Sequence, residues 1–200
     1  MNIELIAYTP HPEKVCAFAM LNCHTQNIRG VQSGEKERLI KLAIKLGHES
    51  VLEHASFTFL ATGLSRVCTH QLVRHRLFSF SQQSFRHTAP TDFVIPETIK
   101  KNERALILTE AVLEKVKKTY SRLLAMGIPK EDARYIMPQG SVSNIVFTAN
   151  ARELRHFFKL RLDKHAQAEI RELAERMLTL VKPIAPSIFY DMEVNNAKSN

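Results

Sequence analysis

Apolar positions recur along this chain with two different periods, and the changes between them divide it into strands and helices. At residues 3–7, Ile3 and Leu5 alternate with Glu4, the two-residue period of a half-buried strand. Thr9, Pro10 and Pro12 end that segment. Pro12 suits a first helical position and Glu13 the positive end of a helix dipole, which predicts a helix from Glu13 to about Leu21 with Cys16 and Phe18 in the core. Leu39, Ile40, Ala43 and Leu46 form a helical stripe that Ser33 can cap and Gly47 can stop. SFTFL at 56–60 reads as a strand, and Ser65 can cap a helix running through 76, with Gln71, Arg74 and His75 on one face. Phe78 to Phe85 shows no helical stripe and reads as a loop or extended segment.

In the second half, Leu108, Val112, Val116 and Tyr120 recur every four residues and predict a long scaffold helix from Glu103 to about Ala125. Gly127 breaks it; Pro129, Glu131 and Asp132 begin a short helix holding Arg134, which Pro138 and Gly140 end. Val142 to Phe147 reads as a strand, and Asn150 as the cap of a helix through Leu160. On that helix Arg152 and His156 share one side, while the stripe Leu154, Phe157, Phe158 runs on into Arg161. A charge in an apolar line needs a partner; Asp163 is the simplest, and backbone carbonyls or a ligand are the alternatives. Ile170, Leu173, Ala174, Met177, Leu178 and Val181 predict a last helix over about 164–181 ahead of Pro183, and NNAKSN at the end reads as a frayed tail.

Two hundred residues without repeat or linker make one domain, 1–200, the expectation, with enough chain for a core that needs no staple. Cys16, Cys23 and Cys68 are odd in number and lack CxxC spacing, against both a disulfide framework and a structural zinc site. They suit a reducing compartment. The opening MNIELIAYTP has no leader pattern and no run of 18 apolar residues occurs, so a soluble, cytoplasmic protein with no membrane partner is expected. The net charge of +8 favours anionic partners but does not choose among nucleic acid, nucleotides and phosphorylated cofactors.

The densest candidate chemistry lies at 71–87, QLVRHRLFSFSQQSFRH, where Arg74, His75, Arg76, Arg86 and His87 interleave with Phe78, Phe80 and Phe85. Planar guanidinium forks fit phosphate or carboxylate, with serine and glutamine as neutral donors and acceptors around them. Taken alone, this is anion recognition beside a flat polar ring, or a solvated basic face. His48, Glu49, Glu53 and His54 suggest a metal, but the spacing is not HExxH and no second cluster follows. Two rival functions thus stand on residues alone: a nucleic-acid binder stacking bases on the three phenylalanines, and a metal hydrolase.

Arg74, His75, Arg76 and, seven residues on, Ser84 resemble the signature of the flavin-dependent thymidylate synthases. GHESVLEH at 47–54, Gln71, Arg86 and NARELRHFFKLR at 150–161 extend the likeness over roughly 47–170. Gln82 stands where many members have Glu, and His87 where Tyr is usual. The resemblance implies an α+β single domain of thymidylate synthase-complementing-protein type, with a mixed or antiparallel sheet packed by several helices. It implies methylation of dUMP to dTMP with methylenetetrahydrofolate, FAD and NADPH, in a homotetramer with shared sites, and no nucleic-acid partner or bound metal. His48, Ser50, Arg74, His75, Arg76, Gln82, Asn150, Ala151, Arg152 and His156 would hold FAD. Gln71, Leu72, Val73, Arg74, Gln82, Gln83, Ser84, Phe85, Arg86, Arg134 and Arg161 would hold the nucleotide, with Ser84, Arg86 and Arg134 on its phosphate. Arg161 is the candidate catalytic charge, because a preorganised guanidinium at the N3 and O2 edge favours an ionised or enolate-like uracil. Ser84 lacks an identifiable base and is expected to bind rather than attack.

Overall fold

The computed structural model describes residues 1–26, 30–32, 34–89 and 92–194. Strands β1 (Asn2–Tyr8), β2 (Ser56–Ser65), β3 (Ser79–Gln82) and β4 (Val142–Asn150) form one sheet in the order β1-β2-β4-β3. Every pairing is antiparallel, which settles the expected choice between a mixed and an antiparallel sheet. Odd-numbered positions turn inward: Phe57, Phe59, Ala61, Ile145, Phe147 and Ala149 are buried. Phe59 lies opposite Phe147 with rings 5.2 Å apart, an aromatic cross-strand pair at the centre of the core. Between Ala61 and Leu64 the register of β2 shifts, and Gly63 takes φ 73° there, with a would-be Cβ only 3.3 Å from the Met1 nitrogen. The bulge brings Leu64 and Ser65, consecutive residues, both into buried positions at the strand's end.

The helices are α1 (Pro12–His24), α2 (Glu35–Lys45), α3 (Arg66–Leu72), α4 (Glu97–Lys100), α5 (Glu103–Ala125), α6 (Lys130–Ala133), α7 (Ala151–Arg161) and α8 (Ala168–Val181). Short 3-10 turns cover Glu49–His54 and Arg134–Ile136. The predicted stripe of α8 is buried in full, although the helix starts at Ala168 rather than 164. Pro12 opens α1 as expected, but Phe18 is exposed while Cys16 is buried. Leu46 likewise lies outside the buried stripe of α2, whose expected cap Ser33 falls outside the described residues. The largest departure is α5: its bounds match the expectation, yet Leu108 and Val112 are exposed and only Tyr120 of the predicted stripe is buried. The apolar period there describes a face that this chain does not cover.

Among the described residues, one side chain exposed by less than 2% is charged. Arg155, on α7, donates to both carboxylate oxygens of Asp191 (2.6 and 2.8 Å) and to the Ile188 carbonyl at 2.6 Å, with its Nε 3.8 Å from the Glu49 carboxylate. This clamp ties the chain after α8 to the helix that carries Arg152, His156 and Arg161.

Candidate active site

Asn150 ends β4 and caps α7, its side chain accepting from the Glu153 N–H at 2.9 Å. One turn of helix then sets Arg152 and His156 four apart on the outward side, because Leu154, Phe157 and Phe158 are drawn into the core. A cleft of about 600 Å³ opens along this side, lined by Glu49, Glu53, Leu77, Asn150, Arg152, Glu153 and His156. Of its acidic members, the sequence offers Glu49 and Glu53 only as candidate metal ligands and Glu153 not at all. Glu53 holds Arg152 at 2.5 Å, and burial raises the pKa of Glu153. Glu49 and Glu53 come from the 3-10 turn whose Val51 and Leu52 are buried. His48 and Ser50, exposed, flank Glu49, and the His48 ring stacks on His24 with centroids 5.8 Å apart. Among the described residues no group of three or more His, Cys, Asp or Glu is placed to hold a metal ion.

Helix α3 stops at Leu72, four residues short of expectation, so Gln71, Arg74 and His75 do not share one helical face. Tight turns replace it: the N–H of Arg74 donates to Gln71, that of His75 to Leu72 and that of Phe78 to His75. The cause is the imidazole. Tightening the chain turns His75 inward, where its ring lies 4.9 Å from Phe157, 5.6 Å from Phe78 and 6.2 Å from His156. Arg74 and Arg76, on either side, are left exposed. Arg161 meets His75 rather than Asp163: its Nε donates to His75 Nε2 at 3.1 Å and its Nη2 approaches the Gln71 carbonyl at 3.4 Å. Asp163 instead accepts from the N–H of His165. Accepting that bond requires an unprotonated Nε2, and burial, then Arg161 and His156, lower the His75 pKa to about 4. His75 is therefore neutral, and the remaining Nη donors of the half-buried Arg161 are available to a ligand.

A third group forms around 82–86. Within residues 78–85, expected as a loop or extended segment, Ser79–Gln82 are extended and form edge strand β3, with Phe80 opposite Phe147. Gln82 Nε2 donates to Thr69 Oγ1 at 2.9 Å and Ser143 Oγ at 3.2 Å, so an amide serves where a carboxylate would accept from the same hydroxyls. Gln83 is bound to Asn144 through its backbone and its side chain. Ser84 Oγ accepts from the Arg86 N–H, and Arg86 grips the Glu131 carboxylate through Nε and Nη2 at 3.0 and 2.8 Å. Arg134, at the end of α6, donates to the Glu131 carbonyl. Leu72, Ala151 and Phe85 are buried, so toward a ligand they offer backbone, while Val73 is exposed. Phe78 and Phe85 are 5% and 4% exposed, and Phe78 and Phe80 lie in one aromatic cluster with Phe147. Phe78 and Phe85 are thus enclosed and only Phe80 is left half-buried, so no row of ring faces is open to stacked bases, which removes the main support for that reading.

The donor set suits anions at Arg86 and Arg134, a flat ring with acceptor edges near Arg161 and Gln71, and a second polar ligand along α7. Residues 4–187 match the family described as thymidylate synthase complementing protein. The chain belongs to that family. Among its family relatives, the flavin-dependent thymidylate synthase of Geobacter sulfurreducens is 41% identical over 200 residues, covering 96% of this chain and 86% of that one. The protein of the same name from Pyrococcus horikoshii is 44% identical over 189 residues, 89% of this chain and 78% of that one. Among solved structures, the UMP/dUMP methylase PolB from Streptomyces cacaoi, bound with 5-Br dUMP, superposes with a TM-score of 0.85 at 26% identity. It covers 96% of this chain and 95% of its own, so the shared fold spans nearly the whole chain.

Proposed function

We propose that this protein is a flavin-dependent thymidylate synthase, an FAD-dependent methyltransferase that converts dUMP to dTMP. The observation that carries the reading is identity of about 40% over nearly the whole chain to relatives of that name. Methylenetetrahydrofolate is the carbon donor and NADPH the reductant: a one-carbon unit at the methylene level becomes a methyl group only on gaining a hydride. FAD, when bound, supplies that hydride transfer. The residues present fit it, since the cleft beside α7 has the volume of a small-molecule site and sets Asn150, Arg152 and His156 on its wall. Its pyrophosphate needs cations, which Arg152 and the exposed Arg74 and Arg76 offer.

The chain's own groups have the following tasks. Arg86, Ser84 and Arg134 bind the nucleotide phosphate, with Glu131 yielding the Arg86 fork to it. Gln71, Arg74 and Gln82 orient the uracil. Arg161, aligned by neutral His75, places charge where the ring gains electron density on attack through C5. The whole chain, 1–200, works as one domain, in the cytoplasm, as a homotetramer whose sites draw on neighbouring copies. The exposed Ile107, Leu108 and Val112 of α5 support assembly. The test is to purify the protein, reconstitute it with FAD, and follow dUMP-dependent NADPH oxidation and dTMP formation with methylenetetrahydrofolate. Flavin absorbance and dTMP are expected; protein that neither absorbs as a flavoprotein nor quenches added FAD overturns the reading.

A further inference from the structure

Arg66 opens α3, and its guanidinium lies over the Phe85 ring, Cζ 4.2 Å from the centroid. Phe85 stands between Ser84 and Arg86 in a turn where the N–H groups of His87 and Thr88 both donate to the Ser84 carbonyl. The same turn is fastened to α6, since Lys130 Nζ reaches the His87 carbonyl and Glu131 pairs with Arg86. On its other side the Arg66 backbone donates to Ser141, and Val67 to Gln139, in the segment that follows Arg134. Three elements therefore deliver Arg66, Arg86 and Arg134 to one corner of the molecule.

The charges in that corner do not balance. Glu131 is committed to Arg86, Asp132 lies exposed on α6, and among the described residues no carboxylate pairs with Arg66. A guanidinium held over an aromatic ring by its charge still has N–H donors for an acceptor. Arg66 is half-buried, and burial followed by the like charge of Arg134 lowers its pKa. Two cations that repel each other at a partly desolvated site, with free donors and no counter-charge on one of them, are stabilised by a dianion placed between them.

We propose that Arg66 is a further phosphate-binding residue for the nucleotide substrate, held in position by the Phe85 ring and completing a three-arginine site with Arg86 and Arg134. The proposal rests on the reading that the substrate is a nucleoside monophosphate. Binding of dUMP and of deoxyuridine, which lacks the phosphate, is measured by calorimetry on the FAD-loaded protein for wild type, Arg66→Gln and Arg66→Lys. A charge-assisted contact implies that Arg66→Gln weakens dUMP about ten- to a hundredfold while deoxyuridine binding and melting temperature stay unchanged. Arg66→Lys keeps the charge without the fork and falls between. Wild-type affinity for dUMP in Arg66→Gln overturns the proposal; equal losses for dUMP and deoxyuridine also do so, because they make Arg66 only a support for Phe85. A wild-type protein that does not prefer dUMP to deoxyuridine overturns the substrate reading itself.

Discussion

Arg161 sits at the end of an apolar stripe, and what occupies its fork decides its use. Two of its donors go to His75 and the Gln71 carbonyl, so its plane is set before any ligand arrives. Lysine at this position keeps the charge but cannot hold two acceptors in one plane. Arg161→Lys is expected to lower the dTMP formation rate at saturating dUMP at least about a hundredfold, the scale of one lost transition-state donor. Flavin content and melting temperature, measured on the same samples, should hold. Near wild-type turnover would reduce Arg161 to a structural hydrogen-bond donor. Its partner His75 has a pKa lowered to about 4, from an ordinary value near 6.5. Between those values the unfolded chain binds a proton that the native imidazole does not, so this contribution to stability is full above about pH 6.5 and is lost as pH falls toward 4. Urea unfolding at intervals from pH 4 to 7 should show wild type losing roughly 1 to 3 kcal/mol more than His75→Gln over that window. Parallel curves would mean that the imidazole does not stay neutral.

At the scale of elements, α7 carries both a structural duty and a binding one, and Asn150 joins them. Aspartate caps a helix as well as asparagine does, whereas alanine loses about 1 kcal/mol. Asn150→Asp should therefore melt close to wild type, yet bind FAD at least about tenfold more weakly, since its carboxylate joins Glu49, Glu53 and Glu153 in the cleft. Fluorescence titration of FAD against thermal melting separates the two duties, and unchanged FAD affinity would leave Asn150 only a cap. The strand periods, the Asn150 and Ser65 caps, and the bounds of α5 and α8's buried face were legible because local spacing decides them. The end of α3 was not, because burial of the His75 ring against Phe157, 82 positions later in the chain, overrides a helical preference. The site was legible where a charge broke an apolar line, as at Arg161. It was illegible where partners are remote, as with Glu53 on Arg152 and Arg66 on Phe85.

For the whole molecule, the uncovered side of α5 is the clearest unfinished surface. Ile107, Leu108 and Val112 are 61, 68 and 54% exposed on a helix whose caps and bounds are otherwise regular. If copies of the chain cover it, replacing all three by Gln leaves helix content intact, because none of them supports the monomer's core. Light scattering should then report less than the expected fourfold multiple of 22.9 kDa. Wild-type mass in the triple variant would place the contact elsewhere. The other long-range tie is internal: Asp191 and the Ile188 carbonyl answer the buried Arg155. In genetic terms, a stop codon ahead of position 191 is no mild trim. It leaves a cation inside the protein with only the Glu49 carboxylate, 3.8 Å away, to answer it, so such an allele behaves as a folding defect that spares every residue touching substrate, and a second-site change of Arg155 to an apolar residue is its natural suppressor.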